Sequence, residues 1–296
     1  MTKTYEFGMK KRENHNSDKF YNLNIYSKKV ETKKIVNQEF PNNLKNKIFN
    51  KSSEDMSEIP DNSVHLIITS PPYNVAKEYD KNLTLEEYFD LLYRVFKECY
   101  RVLCDGGRAC INIANIGRKP YISLTRGVYE IMESIGFLSR GEIIWNKSAS
   151  AGVSTAWGSW CSASNPVLRD VHEYILIFSK NSFGRKLSKK EKEIKKSTIT
   201  KEEFLEYTKS IWTFNAESAK RVGHPAPFPV ELPNRLIKLY SFTNDIILDP
   251  FMGSGTTAIA AINNNRYFVG YEIEKRYIKI ANERLNKERN LLGELI

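Results

Sequence analysis

Three apolar residues, Ile246, Ile247 and Leu248, run into Asp249-Pro250-Phe251-Met252-Gly253-Ser254-Gly255-Thr256-Thr257-Ala258, and an apolar, small-residue stretch follows. A strand, a glycine-rich turn and a helix in that order leave a chain few options. The helix has to return over the sheet it left, so the next strand, at Tyr267–Tyr271, is expected to lie parallel to the first. Gly253, Gly255 and Ala258 keep the G-x-G-x-x-G/A spacing, which permits a tight turn and close approach of a ligand to the backbone. Glu272 ends the following strand, about 20 residues after the first glycine, where an acid can hold ribose hydroxyls. The pattern points to an adenosine-containing ligand. A Walker A loop is excluded, because no Gly-Lys-Ser/Thr follows the glycines.

A second strand and turn lie far upstream. Val64, Leu66, Ile67 and Ile68 form a short apolar run that ends in Ser70-Pro71-Pro72-Tyr73. In an α/β sheet the C-terminal end of a strand faces the ligand crevice, and consecutive prolines there remove two backbone donors and stiffen the turn. What remains is a hydroxyl, carbonyl oxygens and an aromatic face, without charge. That set suits a planar amine donor such as the exocyclic amine of a nucleobase, with oxygens accepting its hydrogens and the Tyr73 ring stacking on the heterocycle.

Between the two motifs, Thr84-x-x-Glu87 is a capping box opening a helix whose apolar positions Tyr88, Leu91, Leu92, Val95, Phe96 and Cys99 keep helical spacing, with Gly106-Gly107 closing the unit. Residues 109–113, 141–145 and 173–178 are expected to be strands, and residues 121–135 a helix. Alternating strands and helices predict an α/β fold, a doubly wound, mostly parallel sheet, with the last two of these strands as an antiparallel edge hairpin. Residues 148–171 form a long loop carrying Trp157, Trp160 and Arg169, and residues 180–203 are dense in lysine, including Lys186, Lys189 and Lys190. A solvated, charged helix is the default for such a run.

The chain has 296 residues, 41% hydrophobic, enough for one large α/β domain with an insertion. Lysine and arginine outnumber acids 45 to 35, giving +10, which suits a polyanionic partner. Cys99, Cys104, Cys110 and Cys161 show no C-x-x-C, and His15, His65, His172 and His224 no ligand-like spacing. No metal is therefore expected, and the cysteines are expected to be reduced core or near-core thiols of a cytoplasmic protein. With no apolar leader and no run of 18 apolar residues, neither secretion nor a membrane is expected.

The two motifs together resemble those of the amino-group DNA methyltransferases that use S-adenosylmethionine, in which a D/S-P-P-Y turn holds the target amine and a D-P-F-x-G-S-G-T loop holds the methyl donor. Their order here, catalytic turn first and cofactor loop last, is similar to the circularly permuted class called beta, with a Rossmann-like sheet. His224-Pro225-Ala226-Pro227-Phe228-Pro229 resembles the family segment that packs around the methionine end of the donor; taken alone it is a Pro-rich turn before a helix. The resemblance implies catalytic roles for Ser70, Pro71, Pro72 and Tyr73. It implies cofactor contacts for His224, Pro225, Ala226, Phe228, Pro229, Asp249, Pro250, Phe251, Gly253, Ser254, Gly255, Thr256 and Glu272. DNA contacts are expected from Trp157, Trp160, Arg169, Lys186, Lys189, Lys190, Lys220 and Arg221. Many relatives carry Gly-Asp near the cofactor adenine; this chain has Asn50-Lys51, leaving Ser52, Ser53 or Glu54 for that contact.

The implied organisation is an N-terminal extension (1–47), a catalytic half (48–179), a target-recognition insert (180–222) and a cofactor-binding half (223–296). The implied activity is methylation of cytosine N4 in double-stranded DNA with S-adenosylhomocysteine as product, because the turn begins with serine, as part of a restriction-modification system with a cognate endonuclease. Adenine N6 methylation is the alternative, and a catalytically inactive nucleic-acid-binding module is the alternative of another class. Monomer and homodimer both remain open.

Overall fold

The computed structural model describes residues 23–26, 32–73, 83–117, 119–147, 158–217 and 228–293. Residues 1–34 form one unit, in which Asn24–Tyr26 make a 3-10 turn, and residues 35–296 form a second. The extension expected over residues 1–47 is therefore shorter, since Phe40 and Leu44 belong to the second unit's core.

In chain order the second unit contains β1 (Lys47–Phe49), β2 (Val64–Thr69), α1 (Leu85–Val102), β3 (Leu103–Ile113), α2 (Leu124–Ile135), β4 (Phe137–Asn146), β5 (His172–Lys180), α3 (Lys189–Ile194), α4 (Lys201–Tyr207), β6 (Ile211–Thr213), α5 (Glu231–Tyr240), β7 (Ile246–Asp249), α6 (Thr256–Asn263), β8 (Tyr267–Tyr271) and α7 (Lys275–Gly293). The described strands form one sheet in the order β1-β8-β7-β2-β3-β5-β4-β6. Only β5 runs against its neighbours, pairing antiparallel with β3 and β4. The antiparallel pair sits one strand in from the edge, because β6 adds parallel to β4 and buries Trp212 completely. Residues expected to form a separate recognition insert thus supply the outermost strand of the sheet.

Sequence chemistry accounts for the elements. Thr84 caps α1 in the anticipated box, its hydroxyl accepting from Glu87 N while the Glu87 carboxylate accepts from Thr84 N. Gly106-Gly107 do not end this helix; the chain turns extended at Leu103, which pairs with Val64, and the glycines lie inside β3. Strand alternation sends Ile67, Ala109, Ile111, Leu176 and Leu248 to one face, under α1 and α2. Leu66, Ile68, Cys110, Ile175 and Ile247 go to the other, under α5, α6 and α7. Cys99, Cys104 and Cys110 are buried as expected, whereas Cys161 is exposed. Chain order runs from β2 toward β3 on one side and from β7 toward β8 on the other. The reversal opens a crevice at the C-terminal ends of β2 and β7, the position where open α/β sheets bind ligands.

Candidate active site

Ser70 leaves the end of β2 and Asp249 the end of β7, so pairing of these neighbouring strands brings the two sequence motifs together. A cavity of about 190 Å³ lies between them, lined by Ser70, Pro71, Pro72 and Tyr73 from the first motif, Phe251 and Gly253 from the second, Phe228, and Glu272. A smaller one of about 110 Å³, lined by Lys51, Ser52, Ser53, Glu54, Pro250 and Tyr271, shares Pro72, Phe251, Glu272 and Ile273 with it.

The glycine loop is braced from three sides. Gly253 and Gly255 both take positive φ, 50° and 79°, which glycine adopts without strain, and a Cβ on Gly255 would lie 2.9 Å from that of Ala281 on α7. Arg284 of α7 donates through Nη1 to the Ser254 carbonyl (2.6 Å), Ser254 Oγ (2.9 Å) and Thr256 Oγ1 (3.2 Å). The Glu272 carboxylate accepts from Gly253 N at 2.9 Å and from Glu274 N at 2.8 Å, and burial raises its pKa. Each of its oxygens keeps a lone pair for a further donor.

Asp249 holds the two motifs to each other. Its Oδ1 accepts from Thr69 Oγ1 (2.7 Å), the residue before Ser70, and from Phe251 N (3.0 Å), while its Oδ2 accepts from Thr257 Oγ1 (2.7 Å). It is 1% exposed and lines neither cavity, and its bonds brace the loop from beneath. Burial pushes its carboxyl up to about 6. Pro250 and Pro229 are buried; the Pro229 carbonyl accepts from Leu232 N and starts α5.

The wall facing Ser70 carries side chains that sequence patterning did not single out. Asn112 of β3, Lys147 after β4 and Glu173 of β5 line the large cavity together with Trp145. Lys147 Nζ donates to Glu173 Oε1 at 2.6 Å, and Asn112 Nδ2 and Tyr73 Oη donate to Glu173 Oε2 at 2.6 and 3.2 Å. Tyr73 Oη is also 3.1 Å from Ser70 Oγ, and burial keeps the phenol well above its ordinary pKa. One signal was present in the sequence: a lone amide inside the apolar run Ala109-Cys110-Ile111-Asn112-Ile113, and a lone acid at the start of an apolar strand.

Other expected residues are dispersed. Trp160 and Arg169 are exposed on the β4–β5 loop, which leaves and rejoins the sheet at the cavity through Lys147 and Glu173. Lys186, Lys189 and Lys190 lie elsewhere. Their segment is tied by Arg185 and Lys195 to Asp245, at the start of β7, and Lys195 Nζ is 3.1 Å from His65 Nε2 near the start of β2. From His65 to Ser70 is about 17 Å along the strand, so these lysines, expected to contact DNA, sit at the end of the sheet opposite the cavity. Trp157, Lys220, Arg221, His224, Pro225 and Ala226 lie outside the described residues. Among the described residues no group of His, Cys, Asp and Glu is arranged to hold a metal ion.

The ionisable lining fits a cationic or neutral ligand better than a phosphate. The larger cavity carries Glu173, Glu272 and Glu274 against Lys147, which is already bound to Glu173. A pyrophosphate would meet uncompensated carboxylates there, whereas an adenosyl group bearing positive charge would meet acceptors.

Comparison with known proteins agrees with this chemistry. The family model described as DNA methylase, N6_N4_Mtase, matches residues 64–283. The type II methyltransferase M.MjaI of Methanocaldococcus jannaschii is 34% identical over 292 residues, covering 83% of this chain and 93% of that protein. M.BglII of Bacillus subtilis, also a type II methyltransferase, is 32% identical and covers 84% and 71%. The S-adenosyl-L-methionine complex of TTHA0409 from Thermus thermophilus superposes with a TM-score of 0.66 at 31% identity, covering 81% of this chain and 93% of that one. A match over most of the chain, with both motifs meeting at one crevice, makes this protein a member of the N6/N4 DNA methylase family.

Proposed function

We propose that this protein transfers a methyl group from S-adenosylmethionine to the N4 amine of cytosine in double-stranded DNA. The observation that carries the proposal is the uncharged acceptor set at the end of β2, Ser70 and the Pro71 carbonyl, opening into the same cavity as the glycine loop after β7. When bound, S-adenosylmethionine supplies a methyl group on a sulfonium that is already electrophilic. Gly253, Phe251 and Glu272 are placed to hold its adenosyl and methionine parts, with Arg284 and Asp249 keeping the loop in shape. Ser52, Ser53 or Glu54 in the smaller cavity, separated from Ser70 by Phe251 and Pro72, suit the adenine.

The amine of a nucleobase is a poor nucleophile because its lone pair is delocalised into the ring. Hydrogen bonds from it to Ser70 Oγ and the Pro71 carbonyl favour a tetrahedral nitrogen and expose that lone pair, so no covalent intermediate with the enzyme is needed. The acceptors lie inside a cavity, so the base has to leave the duplex to reach them. The Tyr73 ring borders its place. Trp160 and Arg169, exposed on the loop between Lys147 and Glu173, are suited to hold the flanking DNA, and the likeness to type II methyltransferases supports a role beside a restriction endonuclease.

Serine at position 70 supports cytosine as the acceptor. Mass spectrometry of nucleosides from unmethylated DNA treated with the protein and S-adenosylmethionine is expected to show N4-methylcytosine, and N6-methyladenine instead would reassign the base. Ser70→Ala is expected to slow single-turnover methylation about tenfold to a hundredfold with cofactor affinity unchanged. Parental rates in that variant would remove the turn from the chemistry.

A further inference from the structure

Asn112 is 2% exposed, yet its Oδ1 has no hydrogen-bond partner among the described residues, and the residue lines the large cavity. A buried carbonyl oxygen is rarely left unsatisfied without a reason. Its orientation is not arbitrary. Nδ2 donates to Glu173 Oε2 at 2.6 Å, and turning the amide over would set two oxygens against each other at that distance. Glu173 is itself fixed by Lys147 Nζ on Oε1 at 2.6 Å.

The same carboxylate orders the hydroxyls. Tyr73 spends its one hydrogen on Glu173 Oε2, so across the 3.1 Å contact Ser70 Oγ is the donor to Tyr73 Oη, and the Ser70 lone pairs are left for other donors. Asn112 Nδ2 donates its second hydrogen between Ser70 Oγ at 3.4 Å and Tyr73 Oη at 3.3 Å, so one Ser70 lone pair stays open. Asn112 and Ser70 thus share one wall of the cavity, each with a lone pair to spare. Along the pairing edges of cytosine and adenine, the exocyclic amine is the group that donates, and it is the group that Ser70 receives.

We propose that Asn112 Oδ1 shares the second hydrogen of the target amine with the Pro71 carbonyl in a three-centre bond, the first going to Ser70 Oγ, and that Glu173, anchored by Lys147, is the positioning residue that fixes the Asn112 amide and the Ser70 hydroxyl. This rests on the reading of the Ser70 turn as the amine site. As the N–CH₃ bond forms and the S–CH₃ bond breaks, the nitrogen takes on the positive charge leaving the sulfur, and one N–H proton then passes to water. Acceptors around that nitrogen stabilise the transition state more than the neutral amine, so Asn112 contributes mainly to rate.

The test uses the full chain, unmethylated genomic DNA and S-adenosylmethionine. Asn112→Ala and Glu173→Gln are each expected to slow single-turnover methylation about tenfold to a hundredfold while calorimetric affinity for S-adenosylmethionine stays parental, which also shows that the variants fold. The double variant Asn112→Asp/Glu173→Gln reverses the donor and acceptor between the two positions: the new amide at position 173 can donate to position 112 and accept from Lys147, and position 112 keeps an oxygen for the amine. It is expected to regain most of the rate lost in Glu173→Gln, a rescue that a purely structural role does not provide. Parental rates in both single variants, or a double variant no faster than Glu173→Gln, would overturn the proposal. A parent that binds the cofactor but methylates no DNA would remove the functional reading and this proposal with it.

Discussion

Strand β7 carries an aspartate at each end, and the fold treats them in opposite ways. Asp245 precedes the strand and Asp249 closes it; both are fully buried. Burial opposes the charge at Asp245, but His65, Arg185 and Lys195 together outweigh it and hold the carboxyl well below the usual range. Asp249 receives three neutral donors, and burial wins, raising it to about 6. The first is a lock between the start of the sheet and the residues on either side of α3, Arg185 before it and Lys195 after it. The second is an uncompensated acceptor at the end where a cationic cofactor binds. The lesson is that the end that only has to be stable is charge-balanced, and the end that has to work is left short of positive charge.

The largest effect is expected from breaking the lock. Asp245→Ala would leave Arg185, 8% exposed, as a buried cation without its carboxylate, and Lys195, 10% exposed, with only Glu191 at 3.6 Å. Stability should fall by about 3–5 kcal/mol in urea unfolding, with cofactor affinity of the folded fraction unchanged. A loss below about 1 kcal/mol would mean that the two cations find water or new partners, and the contrast between the ends would weaken.

Next comes Asp249. A folded-state value of about 6 against an unfolded value of about 4 means that the native protein binds more protons in that window. Stability of the cofactor-free protein should therefore decline as pH rises from about 4 to 6, by about 2–3 kcal/mol from this group. Asp249→Asn keeps the acceptor for Thr69 and Phe251, and the Thr257 hydroxyl can rotate to accept from its amide. Unfolding of both proteins at pH 4 and pH 7 checks this: the variant should lose the decline, and a parental slope in the variant would place the titration elsewhere.

The smallest effect concerns DNA. Removing one phosphate-binding cation flattens the salt dependence of DNA binding by about one unit, so three such lysines replaced together would lower the slope by about three. Because Lys186, Lys189 and Lys190 belong to the Asp245 end, their combined replacement by glutamine should change it by less than about one. A fall of about three would bring the far end of the sheet into the DNA footprint.

Both motifs could be read directly because each is contiguous: the Ser-Pro-Pro-Tyr turn and the glycine loop take their geometry from adjacent residues, and so does the Thr84 box of α1. The apolar runs likewise announced most of the strands, with boundaries moving by a few residues once pairing captured their ends. Composition was less informative. A lysine-rich run looks the same wherever it lies on a sheet, and only the contacts of Arg185 and Lys195 with Asp245 place this one at the end opposite the cavity.

By itself the sequence determined the class of sheet and the two strand ends that carry the motifs. The tertiary structure alone decided which distant side chains meet there. Asn112 and Glu173 are 61 residues apart and Tyr73 and Glu173 are 100, and they converge because β5 runs antiparallel to β3 with Asn112 opposite Ile175. The physical reason is register: a shift of one residue in that pairing would send Glu173 to the other face of the sheet, and nothing local in the chain specifies it.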